Sequence, residues 1–84
     1  MQTKATKYFI NVVLEKRPYL SFELCNRIIA EPLDMCVQED GRKRFWGQHD
    51  WRFIRVVTLA DGQTLHNAFY DRNFRTQSTT GDDK

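Results

Sequence analysis

An α+β fold, with two N-terminal helices packed on one face of a four-stranded antiparallel meander, is the class this sequence predicts. Three observations predict it. The stretch 51–72, WRFIRVVTLADGQTLHNAFYDR, holds two runs rich in β-branched and aromatic residues on either side of Asp61-Gly62. Asp-Gly between two such runs is the strongest short-range hairpin signal. A second Asp-Gly, Asp40-Gly41, separates Asp34-Met35-Cys36-Val37-Gln38-Glu39 from Arg42-Lys43-Arg44-Phe45-Trp46. Before them, apolar residues recur at three-to-four spacing and Pro18 and Pro32 punctuate the pattern, as expected of two short helices.

The first helix is expected near 5–16, with Tyr8, Phe9, Val12, Val13 and Lys16 on one side. Thr3 or Thr6 supplies its cap, and Pro18 ends it because proline disfavours helical geometry at Arg17. Ile10, Val12 and Val13 are β-branched, which leaves a strand open here. The second helix is expected near 21–31. Ser21 is its N-cap, Glu23 lies in the first turn, and Leu24, Cys25, Ile28 and Ile29 form its buried stripe. Strands follow near 34–39, 42–47, 51–60 and 63–71, with Gly47-Gln48-His49-Asp50 turning the chain between the middle two.

Two-residue loops fix the pairing. Val57 then faces His66, Arg55 faces Ala68 and Phe53 faces Tyr70, while Cys36 faces Phe45 and Met35 faces Trp46. Alternation puts Ile54, Val56, Thr58, Leu65, Asn67 and Phe69 on one face of the second hairpin, the core face. Phe53, Arg55, Val57, Leu59, Thr64, His66, Ala68 and Tyr70 fall on the other. Phe9, Val13, Leu24, Ile28, Ile29, Ile54, Val56, Leu65 and Phe69 are the expected core.

The chain of 84 residues reads as a single domain over 1–75, followed by a polar tail over 76–84 expected to be disordered. Charged residues are 29% and aromatics 13%, which suits a folded domain. No apolar run approaches the roughly 20 residues of a membrane span, and MQTKATKYF lacks a signal-peptide pattern. The expectation is a cytoplasmic protein with no membrane partner. Cys25 and Cys36 are too few for a disulfide framework and read as reduced core residues.

Net charge is +2, but it is unevenly placed: residues 1–40 sum to −1, residues 41–75 to +4 and the tail to −1. Positive charge therefore gathers on the predicted sheet. A one-sided basic surface suits an anionic partner, nucleic acid first, or an edge that deters aggregation. Glycine-rich phosphate loops, nucleophile elbows and paired-cysteine or His-Glu-x-x-His metal sites are absent. No cofactor and no metal are expected, so chemistry would fall to arginine, histidine and tyrosine.

The string from Asp40-Gly41-Arg42 through Leu59 to Asn67-Ala68-Phe69-Tyr70-Asp71-Arg72 resembles small bacterial proteins related to the RelE/ParE toxin superfamily. In RelE-type toxins a strand carries an arginine followed by aliphatics, as Arg55-Val56-Val57 does, and a second arginine follows the next strand, as Arg72 does. The resemblance covers roughly residues 5–75 and implies a toxin-type protein that binds RNA and cleaves it without metal, with an antitoxin as a further partner. RelE ribonucleases usually keep a tyrosine or histidine beyond the second arginine; here only Asn73, Phe74 and Arg75 precede the tail.

The candidate catalytic residues are Arg55, His66, Tyr70 and Arg72. Arginine forks suit a phosphate, and His66 or Tyr70 would move the proton. A bulge or a turn after Tyr70 is needed to bring Arg55 and Arg72 over one face. Arg42, Lys43, Arg44, Trp46, Arg52 and Arg75 are the candidate nucleic-acid contacts, with Trp46, Phe53 or Tyr70 stacking a base. Two other readings stand beside this one. His66 is a structural strand residue, or Arg55 pairs with Asp71 and closes the sheet. In that case the same basic aromatic face serves a non-enzymatic module, an inhibitor or adaptor that binds a protein.

Overall fold

The computed structural model describes residues 4–74. The first helix, α1, occupies 7–16 and contains a π-helical segment, Phe9–Val13, followed by a last α-turn, Leu14–Lys16. The Leu14 N–H reaches back to Phe9 O, the i→i−5 pattern. Phe9 and Val13 are fully buried, whereas Tyr8 and Ile10 are exposed. Thr6 is the cap: its hydroxyl accepts from the Phe9 N–H at 3.1 Å. The helix starts two residues later than the sequence suggests because Ala5 makes an isolated parallel bridge to Leu65. Arg17 leaves helical geometry ahead of Pro18. The second helix, α2, is Phe22–Ala30, and Ser21 accepts from the Leu24 N–H at 3.0 Å.

The sheet is β1 (Asp34–Val37), β2 (Lys43–His49), β3 (Arg52–Thr58) and β4 (Leu65–Tyr70), in that spatial order with every neighbouring pair antiparallel. The helices cover one face. Phe9, Val13, Leu20, Leu24, Cys25 and Ile28 pack with Phe45, Ile54, Val56, Leu65 and Ala68. Gly47 lets α2 seat on β2; a Cβ there would lie 2.5 Å from Ile28 Cγ1. No helix among the described residues is long and apolar enough to cross a membrane.

The first hairpin departs from the expected register throughout, and the second only beyond its Thr58–Leu65 pair. Cys36 pairs with Arg44 and Met35 with Phe45, one residue off, because the first loop is longer than two residues. Gln38 N–H donates to Arg42 O across it, and only Gly41 takes a positive φ, +94°. The two-residue turn favoured in hairpins would need Asp40 there as well. The second loop likewise closes from Leu59 N–H to Thr64 O, with Gly62 at φ +71°. Asp61 fastens it, accepting from the Gln63 and Thr64 N–H groups and from the Thr64 hydroxyl. Those bonds, the hydroxyl's first, pull its carboxyl down to about 2.

A bulge then changes the faces. Thr58 pairs with Leu65 but Val57 pairs with Asn67, so His66 is the extra residue. One residue of slip moves everything after it to the opposite face. Ala68 is fully buried and Tyr70 packs against the core, in the places expected for Asn67 and Phe69. Phe69 and Ile29 are only partly buried, and Cys36 is exposed rather than in the core. Cys25 is fully buried, and burial pushes its thiol up to about 12.

Candidate functional site

Arg55 lies mid-strand on the face away from the helices, opposite both Trp46 and Phe69. Its Nε and Nη2 donate to Asp71 Oδ2 at 3.1 and 2.9 Å. Trp46 Nε1 donates to the same oxygen at 2.9 Å, and the Asn73 N–H donates to Oδ1 at 3.0 Å. Asp71 is 5% exposed. Burial alone would raise its pKa. The hydrogen bonds from Trp46, Arg55 and Asn73, with the Arg55 charge, outweigh that and hold it below the ordinary value. The guanidinium also sits 4.9 Å from the Phe69 ring centre and 5.6 Å from that of Trp46. Arg55 is thus neutralised and walled by rings. Trp46 is buried, with Phe74 stacked on it at 5.1 Å and Phe53 edge-on to Phe74 at 5.3 Å. In this arrangement Trp46 offers no free face for a base.

His66, at the bulge, turns toward α1. Its Nδ1 is 3.2 Å from the Thr6 hydroxyl, and its ring is 5.4 Å from that of Tyr8. Burial, and then the positive charge of Arg42, lower its pKa. A histidine whose folded pKa is depressed gives its stabilisation above the unfolded value of about 6.5 and loses it as pH falls. Lowering the pH from 7.5 to 5.5 is therefore expected to reduce the denaturation midpoint, and His66→Asn to remove part of that fall. An identical pH profile in the variant would refute the docking of this ring.

Tyr70 and Arg72 belong to the helix-facing side. The Tyr70 N–H donates to Tyr19 Oη at 3.0 Å. The Arg72 guanidinium lies 6.0 Å from the Tyr70 ring centre and that of Arg52 5.7 Å from it. Arg52 also lies 4.9 Å from the Trp51 ring and 5.1 Å from the Tyr19 ring. Trp51 is 68% exposed. The bulge at His66 and the turn at Arg72 and Asn73 after Tyr70 together set this geometry, and they leave Arg72 at the Tyr70 ring rather than with Arg55. The arginine that meets Arg72 at Tyr70 is Arg52. Trp51 and Tyr19 are not among the site residues that the sequence suggests. The signal for Trp51 is an aromatic beside an arginine, next to a turn.

The remaining basic candidates disperse. Arg42 lies 3.7 Å from Asp40 in an exposed pair. Lys43 runs alongside Gly62. Arg44 is half-buried on the open face, and its Nε is buried without a hydrogen-bond partner among the described residues. Arg75 lies outside the described residues. Exposed apolar side chains on this edge are Leu33, just before β1, and Met35 and Val37 within it. There the Asp34 carboxylate accepts from the Met35 N–H at 2.8 Å, a charged residue guarding an edge.

No family model matches the chain, and no curated protein or solved structure matches it at a significant level.

Proposed function

We propose that this chain is a non-enzymatic binding module for an anionic partner. The observation that carries the reading is the closure of Arg55 by Asp71 and Trp46. Metal-independent cleavage of RNA through its 2′-hydroxyl needs a base, a cation at the phosphate and an acid for the leaving oxygen, all within reach of one another. The mid-strand cation is spent on a buried carboxylate, and His66 is engaged with Thr6 and Tyr8 at α1. The order of two helices and a four-stranded meander supports a RelE/ParE-type relationship, so we read the chain as a relative that keeps the fold without the chemistry.

The anionic partner follows from charge. Residues 41–75 carry +4, and Arg52 is surrounded by rings with no carboxylate paired to it among the described residues. End-labelled RNA incubated with excess protein between pH 6 and 8 is expected to stay intact. The same protein is expected to be retained on heparin at low salt and released as salt rises. Site-specific cleavage that disappears in His66→Ala or Arg72→Ala would overturn the non-enzymatic reading, and flow-through on heparin would overturn the anionic one.

A further inference from the structure

We infer that the cluster of Trp51, Arg52, Tyr70 and Arg72 is a binding site for single-stranded nucleic acid, the bases on Trp51 and the phosphates on the two arginines. The inference rests on the reading of the chain as a module for an anionic partner, and it supplies the ligand class and the place.

The site is built by the β2–β3 turn. Asp50 takes φ +58°, a left-handed conformation that aspartate tolerates better than most residues. The Gln48 side-chain amide donates to Asp50 O at 3.1 Å. This compact turn presents Trp51, the most exposed of the large apolar side chains at 68%. Trp51 meets Tyr70 edge-on at 5.6 Å. Tyr70 in turn is anchored through its backbone to Tyr19. The platform is therefore braced from two elements.

Arg52 and Arg55 lie three residues apart and have opposite fates. Arg55 faces away from the helices and meets a buried carboxylate. Arg52 faces the helix side and meets Tyr19, Trp51 and Tyr70. Rings attract a cation through their quadrupole but do not cancel its charge. The Nε of Arg52 is buried with no hydrogen-bond partner among the described residues. Arg72, exposed, brings a second guanidinium to the same Tyr70 ring. Two cations around one ring, beside an exposed indole, match a chain of alternating phosphates and planar bases. A duplex hides its base faces, whereas a single strand offers them to an aromatic platform. A free phosphate would use the arginines and leave Trp51 idle, and a lipid surface, on which an exposed indole also sits, is separated by the vesicle arm of the test.

The competing account is that the rings merely cover the Arg52 stem and close the end of the sheet. Fluorescein-labelled ten-residue oligouridylate and oligothymidylate, titrated into the full chain, separate the two. Binding is expected to quench tryptophan emission. Trp51→Ala and Arg72→Ala change exposed side chains and are expected to retain the fold, read from the unfolding midpoint, while each weakens binding roughly tenfold. Arg72→Ala should also reduce the slope of log affinity against log salt by about 0.7. Arg52→Lys, which keeps charge but not the fork, should weaken binding with the fold retained. Oligonucleotide binding at wild-type strength in Trp51→Ala would overturn the site and leave the anionic-partner reading standing. Equal affinity for a duplex of the same length, or for vesicles rich in phosphatidylserine, would overturn the ligand class. Complete competition by millimolar inorganic phosphate would reduce the cluster to a phosphate site and overturn it too. Failure to bind heparin or any oligonucleotide would overturn both.

Discussion

Asp71→Ala is expected to lower the free energy of unfolding by about 3–5 kcal/mol, the typical cost of removing one partner from a buried ion pair. Three groups lose their acceptor at once: the Arg55 guanidinium, Trp46 Nε1 and the Asn73 N–H. Trp46 and Phe69 flank the Arg55 guanidinium, and its side chain is only 27% exposed. A partly buried charge left without its partner costs more than the pair contributed. Arg55→Met combined with Asp71→Leu should therefore recover only the part of the loss that comes from the unpaired guanidinium, since Trp46 Nε1 and the Asn73 N–H still lack their acceptor, and chemical denaturation of these variants reads the difference directly. If Asp71→Ala alone shifts stability by less than about 1 kcal/mol, the carboxylate is not the keystone of this face.

The same carboxylate sets an acid limit. Its folded pKa lies below the ordinary value, so its contribution is full above the unfolded pKa of about 3.9 and fades as pH falls through the lower folded value. The gap between wild type and Asp71→Asn should narrow in that acid window, well below the one in which His66 titrates. A gap that stays constant down to about pH 2 would contradict the assignment.

Much of this arrangement is legible in the residues. Ser21, Pro18 and Pro32 delimit the helices where the structure has them. Both Asp-Gly pairs mark hairpins because glycine must take a positive φ there. The loop lengths are not legible, since they depend on whether aspartate joins glycine at positive φ, and neither Asp40 nor Asp61 does. The bulge leaves a trace that strict alternation overlooks: His66 and Asn67 are consecutive polar residues between Leu65 and Ala68. Two buried positions three apart in a strand require an extra residue. That single residue decides the site. It sends Tyr70 to the helix side and leaves Asp71 beside Arg55, so the pairing raised as the plain alternative is the one realised. Trp51 escapes a reading by pattern because turn residues carry no periodicity from which a role can be read.

Gly47→Ala is expected to destabilise the fold by about 1–3 kcal/mol, although a methyl group usually favours a strand position over glycine. The Cβ would meet Ile28 Cγ1 at 2.5 Å, Cγ2 at 3.0 Å and Cβ at 3.2 Å. Ile28 is 2% exposed, and its branch carbon lies within 3.2 Å, so a change of rotamer alone still leaves a tight contact. The helix must lift from the sheet instead, loosening Leu24 and Cys25, which sit on the same buried side of α2. A double-mutant cycle isolates this contact. Ile28→Ala alone removes packing worth about 2–5 kcal/mol, but it also vacates the space that a methyl group at position 47 needs. The double variant should therefore be more stable than the two losses predict when added, by about 0.5–3 kcal/mol of coupling. Strict additivity would mean that α2 does not seat on Gly47, and the helix-covered face of the sheet would then need another account.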